Sequence, residues 1–472
     1  MTFVVHFPPS EVLDAARAVA HVLRNAGYEA WFVGGCVRDA WMGENPSDYD
    51  IATSARPEVI TKMFAQTVPV GVQFGVVMVI WEHIPVEVAT FRTESDYTDG
   101  RHPRRVCFAA VEEDVKRRDF TVNGLLADPF SGHVTDYVGG IADIHIGCIR
   151  CIGHPSDRFQ EDRLRILRAI RFAARTGFFI EQETWNAIQK FAHRILDVAI
   201  ERIRDEIGRI LTGPRPSMGF ELLQNAGLLR FILPELEQMR GVQQNPNFHP
   251  EGDVWNHTLQ VLSHLPSQMQ DLPEPGRSLL AWAALLHDVG KPVSYQQGED
   301  GKITFYCHES TGAKLASAIL TRLRVPTAFT EDVVCLVQDH MRFAHVHEMR
   351  NATFKKIMNR QLRFWPDEFV GQRRYFELLV RLLWMDTMAS NGDLSIYKMA
   401  RQRAQALPAG EERPPRLISG YDLKQLGLSP GPLYSKILDA VFDAQLENRV
   451  RNRDEAIALA RELAQIQEHK DI

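Results

Sequence analysis

The chain has 472 residues, enough for roughly two to four domains. Hydrophobic residues make up 45% and charged residues 24%, an ordinary globular balance that permits a sizeable core. The formal net charge of -6 argues against a nucleic acid held by overall charge, but leaves open one that reads a local basic face.

No apolar run reaches membrane-spanning length, and residues 1–10 (MTFVVHFPPS) lack the basic segment that opens a signal peptide. Six cysteines stand at positions 36, 107, 148, 151, 307 and 335. Cys148 and Cys151 form one C-x-x-C pair with no second pair to complete a four-ligand zinc site, and read as incidental. Scattered thiols fit a reducing compartment, so the expected location is cytoplasmic.

Residues 11–26 have helical apolar spacing and stop at Gly27. Short runs rich in β-formers follow: AWFVGG, DYDIAT, GVVMVIW and PVEVATF. Between Phe32 and Thr53 an apolar strand ends in Gly34-Gly35 and a helical stretch begins. Glycines at such a turn let the backbone approach a phosphate, and helix N-terminal amides favour the anion. Arg38, one turn into the helix, is placed to add a cation. Asp48 and Asp50 are spaced i, i+2, which on a strand puts both carboxylates on one face. Two carboxylates held together repel and need a reason, such as a shared divalent cation; hard oxygen ligands suit Mg²⁺. In PVEVATF, Val86 and Val88 should face the core and Glu87 the opposite side. Glu87 is either a third carboxylate on the metal or base for a hydroxyl, or a solvent-facing strand residue.

Residues 91–108 (FRTESDYTDGRHPRRVCF) carry few apolar positions, which predicts a mobile loop. Its Arg101, Arg104 and Arg105 are candidates for contacting RNA phosphates, or are solvated with no partner. After about Ile152 helical patterns dominate: EDRLRILRAIRFAARTGF, TWNAIQKFAHRIL and ERIRDEIGRILTG. In the first of these, Glu161, Asp162 and Arg165 begin an arginine-dense helix, with Arg168, Arg171 and Arg175 continuing one face. On residue types alone it reads as a salt-bridged surface helix. Residues 405–416 look like a linker, and the segment after it reads as a helical pair around a Ser429-Pro430-Gly431 turn.

The ordered motifs GG-x-x-RD, S-D-Y-D, EVATFR, RRDFTVNGL (117–125), EDRLRILRAIRFAAR and ERIRDEIGRIL resemble those of class II CCA-adding enzymes and bacterial poly(A) polymerases. The resemblance implies an α+β protein. A polymerase-β-like nucleotidyltransferase head, a small sheet flanked by helices, would occupy residues 1–152. An elongated, all-helical remainder would follow: a neck over 153–248, an HD body over 249–404, and a linker with helical tail over 405–472.

It implies that Asp48 and Asp50 hold catalytic Mg²⁺. It also implies that Gly34, Gly35, Arg38 and Arg118 contact the nucleotide, chiefly its phosphates, and that Asp119 and Asn123 shape its site. Asp162 and Arg165 would serve as an amino-acid template for the base edge of CTP or ATP, with Arg168 and Arg171 beside them. Gly124 departs from the alanine usual in the family, which should loosen packing slightly.

HPEGDVWNHTLQV (249–261) and LLHDVGKP (285–292) resemble the HD phosphohydrolase signature. That resemblance implies a second metal site made by His257, His287, Asp288, His308, His340 and Asp386, holding a divalent transition metal or Mg²⁺. The leading expectation is addition of CCA, or of the terminal A, to tRNA 3′ ends from CTP and ATP. The rivals are a poly(A) polymerase with the same head, and an HD phosphohydrolase acting on RNA ends or nucleotides. Intact Asp48, Asp50 and Arg118 argue against the last as the sole activity.

Overall fold

Ser10 starts the first helix by accepting the amide of Leu13, and helix α1 (Glu11–Asn25) buries Leu13, Ala16, Val19, Ala20 and Leu23. Gly27, at φ +85°, ends that segment. The computed structural model describes residues 3–71, 75–97, 103–246, 248–368, 372–407 and 414–468. Their contacts divide into two units, Met1–Pro234 and Glu235–Ile472. The sheet and the helices that follow it therefore share one unit.

Strands in the first unit include β1 (Phe3–Val4), β2 (Ala30–Val33), β3 (Asp50–Thr53), β4 (Thr67–Gly71), β5 (Val76–Trp81), β6 (Ile84–Thr90), β7 (Arg92–Tyr97), β8 (Pro103–Phe108), β9 (Leu125–Ala127) and β10 (His133–Asp136), and a short parallel pair joins Cys148–Ile149 to Phe179–Ile180. Among the described residues, eight of them form one sheet in the order β1-β10-β9-β2-β3-β6-β5-β4. The β3–β6 pair is parallel and its neighbours are antiparallel. Val33, Ala52, Phe91, Val115 and Leu126 form a buried cluster against this sheet. The alternation expected of β6 holds: Val86 and Val88 are buried and Glu87 faces the other side.

Residues 91–108 depart from the expected loop. Strands β7 and β8 pair antiparallel from Arg92↔Phe108 to Tyr97↔Pro103. Backbone pairing requires no apolar face, so a polar composition did not betray the ribbon. Residues 98–102, including Arg101, lie outside the described residues, as do the side chains of Arg104 and Arg105.

The arginine-dense segment is also not one helix. Helix α2 (Pro155–Glu161) stops at Asp162, whose backbone is extended (φ -137°, ψ 106°), and helix α3 (Arg165–Thr176) starts three residues later. Helix α4 (Ile200–Leu211) packs against α3. Gly124 is likewise not a loose spot. A Cβ built there would lie 2.7 Å from Val138 Cγ2 and 3.2 Å from Ile152 Cδ1, so its neighbours already occupy the space.

The second unit contains α5 (Val254–Met269), α6 (Glu274–Leu286), α7 (His308–Arg322), α8 (Thr327–Asp339) and α9 (Arg374–Ala389), mutually packed. Its terminal helices span Gly420–Gln425, Pro432–Leu446 and Arg453–Glu468, with a separate small core around Leu423, Ile437 and Val441. Residues 408–413 of the expected linker are outside the described set. No described helix is long and apolar enough to cross a membrane.

Candidate nucleotide site and candidate metal centre

The β2-to-helix turn is possible because Gly34 adopts φ 73°, ψ -126°. A Cβ there would lie 3.6 Å from the Arg118 guanidinium, so the turn also brings Arg118 against the start of the following helix (Gly35–Trp41). Asp50 opens β3, while Asp48 sits in the loop before it rather than on the strand. Between them Tyr49 is buried, its ring 5.6 Å from Phe7 and 5.1 Å from Phe32, and this anchors both aspartates toward the opposite side. Parallel register pairs Ile51 with Val88, which sets Asp50 beside Glu87.

These groups line a cleft of about 1240 Å³ together with Gly34, Gly35, Arg118, Asp162 and Arg202. Burial, then the neighbouring carboxylates of Glu87 and Asp48, push Asp50 up to about 7, against the pull of Arg118. Burial and Asp48 raise Glu87 as well. Three carboxylates forced together in this way form a site that divalent cations would relieve, and an all-oxygen set suits Mg²⁺.

The other wall is a chain of saturated ion pairs. Arg38 is only 1% exposed; its Nε and one NH₂ group donate to Asp39 (2.9 and 2.6 Å), and the other donates to the Asn123 amide oxygen (2.5 Å). Asn123 in turn donates to Asp119 (3.1 Å), and Asp119 accepts two bonds from Arg168 (2.7 and 2.5 Å). Although burial opposes it, Arg168 and Asn123 hold the Asp119 carboxyl down at about 2. Arg171 donates to Glu206 (2.6 Å) and Arg175 to Asp39 (2.6 Å). The guanidinium groups of Arg38, Arg168 and Arg171 surround the Phe172 ring at 5.1, 5.3 and 4.2 Å. Thus Arg38, Asp119 and Asn123, expected near the nucleotide, hold each other.

Asp162 and Arg165 line the same cleft with different freedom. Arg165 is 8% exposed and donates to Glu161 (2.6 Å) and to the carbonyls of Arg158 and Arg117 (3.1 and 2.8 Å). Asp162 is partly exposed and accepts from Arg202 at 3.0 and 3.3 Å. Arg202, Phe172 and Glu206 were assigned no role from sequence. The only available signal was that Arg202 and Glu206 stand four apart on α4.

In the second unit, the six residues of the HD-like signature converge. His257 Nε2 lies 3.0 Å from Asp386, 3.4 Å from His287 Nε2 and 3.7 Å from Asp288. His308 Nε2 lies 3.3 Å from His340 Nε2 and 3.5 Å from Asp288. The Nδ1 atoms of His287, His308 and His340 each sit 2.7–2.9 Å from the carbonyl three residues earlier, of Ala284, Phe305 and Val337. A carbonyl only accepts, so each Nδ1 donates its proton outward and each Nε2 is the ring nitrogen turned toward the centre.

Four participants were missed from sequence. Glu251 accepts from His257 Nδ1 (2.6 Å) and His249 Nδ1 (2.8 Å), and Lys291 lies 2.6 Å from Asp288 and donates to Gln244 (2.7 Å). Against burial, Asp386 and Glu251 raise His257 to about 9, so the cluster favours added positive charge at its centre. Imidazole and carboxylate donors turned inward on a buried centre fit a transition metal.

Three family models match the chain: the poly A polymerase head domain over residues 30–150, the "Probable RNA and SrmB- binding site of polymerase A" over 177–239, and the HD domain over 254–363. Over 281 residues, 59% of this chain, it is 46% identical to the CCA-adding enzyme of Bacillus subtilis, covering 65% of that protein. Over 264 residues, 56% of this chain, it is 39% identical to the CCA-adding enzyme of Leuconostoc mesenteroides, covering 64% of that protein. The matched stretch thus spans a little under two thirds of these relatives' length. The fold is similar to the crystal structure of the Bacillus stearothermophilus CCA-adding enzyme in complex with CTP, with a TM-score of 0.71, 26% identity, and coverage of 98% of this chain and 100% of that one. It is also similar in fold to the Thermotoga maritima CCA-adding enzyme complexed with tRNA, with a TM-score of 0.58, 15% identity and 99% coverage of both chains.

Proposed function

We propose that the chain is a member of the family of class II CCA-adding enzymes and bacterial poly(A) polymerases, and that it adds CCA, or the terminal A, to tRNA 3′ ends from CTP and ATP, releasing pyrophosphate. One observation carries this reading: Asp48, Asp50 and Glu87 crowd one side of a cleft whose lining also includes the paired Asp162 and Arg202.

Divalent cations, Mg²⁺ by donor type, would be held by Asp48 and Asp50 and would supply charge neutralisation at the α-phosphate and acidify the attacking hydroxyl. The Gly34-Gly35 turn allows a triphosphate close to the backbone, and Arg118 supplies positive charge beside it. Glu87 either joins the metal ligands or takes the proton of the RNA hydroxyl. Across the cleft, the Asp162 carboxylate would accept from the exocyclic amine that C and A possess and U lacks at that edge. Arg202 fixes its orientation. Three of the five Arg165 N–H donors are committed, to Glu161 and to the carbonyls of Arg158 and Arg117, so it would donate to ring acceptors through the donors that remain. The network of Arg38, Asn123, Asp119 and Arg168 keeps that wall rigid.

The test is incubation with tRNA ending at the discriminator base, at -C or at -CC, with CTP and ATP supplied separately and together. Three defined additions support CCA synthesis, addition only of A to -CC ends supports A-addition, and long A tracts point to the poly(A) polymerase reading. No incorporation with any tRNA and nucleotide refutes the proposal.

A second activity is favoured by the converging histidines of the other unit. His257, His287, Asp288, His308, His340 and Asp386 would hold a transition metal supplying Lewis acidity for hydrolysis of a phosphomonoester or a 2′,3′-cyclic phosphodiester.

A further inference from the structure

Asp114 lies beside the nucleotide cleft without lining it. It stands in the short helix Val111–Lys116 and is only 1% exposed. Its two carboxylate oxygens face different partners. Oδ1 accepts from Arg117 Nε (2.9 Å), from a terminal nitrogen of Arg117 (2.6 Å) and from the backbone amide of Arg92 (3.2 Å). Oδ2 accepts from the Arg118 guanidinium at 3.1 Å. Burial opposes the charge, but Arg118 and Arg117 outweigh it and hold the carboxyl below its ordinary range. The spacing of i, i+3 and i, i+4 is what lets two consecutive arginines share one carboxylate.

The two arginines are not held alike. Arg117 Nε also donates to the Arg92 carbonyl (3.1 Å), and the Arg117 carbonyl accepts from Arg165 (2.8 Å). Among the described residues, the Arg118 side chain has one hydrogen-bond partner, Asp114. Its Nε is buried and makes no hydrogen bond. Its Nη1 lies 3.6 Å from where a Cβ would stand on Gly34, at the turn that admits a phosphate. The guanidinium also opposes the rise that burial imposes on Asp50 and Glu87, so its field reaches those carboxylates. Arg38 behaves differently, since its guanidinium donates to both Asp39 and Asn123.

An arginine that binds a triphosphate must meet two conditions. It must be fixed beforehand, because freezing a long side chain on binding weakens affinity. It must also keep donors for the ligand. Asp114 meets both by taking one Arg118 donor and giving its other oxygen to Arg117. Arg117 and Arg118 line the cleft and Asp114 does not, so one buried negative charge is set against two guanidinium groups that face the ligand.

We infer that Asp114 is a positioning residue for the triphosphate, holding Arg118 at the Gly34 turn with donors left for phosphate oxygens. It touches neither nucleotide nor RNA and acts through Arg118. The inference rests on the reading of Arg118 given above, as the cation beside the triphosphate.

The test is equilibrium binding of CTP and of inorganic tripolyphosphate, in Mg²⁺, to the full-length wild type, Arg118→Ala, Asp114→Asn and the double variant. Circular dichroism verifies each fold. Tripolyphosphate reads the phosphate end with no base attached. Asp114→Asn keeps the side-chain shape but turns an amide NH₂ toward one guanidinium. It should weaken both ligands by the same factor, about 10-fold, and the double variant should bind no more weakly than Arg118→Ala. Should Asp114→Asn not fold, Asp114→Glu, which moves the carboxylate by one methylene, carries the same expectation. A folded Asp114 variant that binds like the wild type overturns the positioning role, while the reading of Arg118 stands if Arg118→Ala still weakens both ligands. A loss for CTP without one for tripolyphosphate, or a double variant in which the two losses multiply, also overturns the positioning role. Wild-type affinity in Arg118→Ala, or a wild type that binds neither ligand, overturns both.

Discussion

The Arg202 guanidinium grips both oxygens of the Asp162 carboxylate, at 3.0 and 3.3 Å, across a break between two helices. Asp162 is extended, and besides Arg202 its carboxylate accepts from the Leu164 amide at 3.1 Å. Arg202→Ala should therefore free the carboxylate to rotate. The expected outcome is a loss of about 10- to 100-fold in kcat/KM for CTP and ATP, or about 1.4–2.8 kcal/mol, with measurable UTP or GTP incorporation. Asp162→Ala should relax base choice further. Single-nucleotide incorporation assays with each of the four triphosphates read this directly, and unchanged selectivity in both variants would refute the template role.

Asp50 makes a pH-dependent prediction. Its carboxyl is raised from 3.8 in the unfolded chain to about 7 in the folded one. The folded state thus binds more protons than the unfolded state between these values, so stability falls as pH rises from about 4 to 7 and is flat above. Asp50→Asn removes that penalty. In chelator it should raise the Tm at pH 8, by the equivalent of roughly 1–3 kcal/mol, and change little at pH 4. Mg²⁺ should stabilise the wild type at pH 8 and the variant much less, while incorporation by the variant falls at least about 1000-fold. Thermal melts across pH with and without Mg²⁺ provide the check. A variant less stable than wild type at pH 8 contradicts the crowding.

What was readable beforehand was local. The strand around Asp50 and the one carrying Glu87 show as short β-forming runs, and Glu87 follows from its neighbours Val86 and Val88. The HD-like residues could be named because they fall in a known order, not because their positions imply convergence. What was hidden depended on partners distant in the chain. The apolar spacing of Leu164, Leu167 and Ile170 runs smoothly toward the break at Asp162, and nothing in it marks where the helix starts. The roles of Arg202, Glu251 and Lys291 exist only through Asp162, His257 and Asp288. Arg38 reads as a phosphate ligand until Asp39 and Asn123 are seen to occupy it.

Asp119 supplies the opposite pH behaviour from Asp50. Arg168 and Asn123 hold its carboxyl at about 2 in the folded protein, below the 3.8 of the unfolded chain. Its contribution is therefore present above about pH 4 and is lost as pH falls toward 2. Asp119→Ala also leaves the half-buried Arg168 guanidinium without this carboxylate, so a loss of about 1–3 kcal/mol at pH 7 is expected, shrinking on acidification. Urea unfolding at pH 7 and at pH 3 tests it; an equal deficit at both would show that the ion pair is not its source.

Gly124 gives a prediction opposite in sign to the usual benefit of replacing glycine. Its backbone (φ -92°, ψ 10°) suits an L residue, so alanine should gain about 0.4–1 kcal/mol through unfolded-chain entropy if space allowed. Space does not allow it: the new Cβ would fall 2.7 Å from Val138 Cγ2, with Ile152 and the Thr121 carbonyl close on the other sides. Val138 is stiff at χ1 and must shift or strain. Gly124→Ala should therefore destabilise by about 1–2 kcal/mol in urea unfolding. Adding Val138→Ala should recover part of that loss, so that the double variant is more stable than the sum of the singles predicts. If Gly124→Ala alone raises the midpoint, Val138 has room to turn away and the tight fit around residue 124 is wrong.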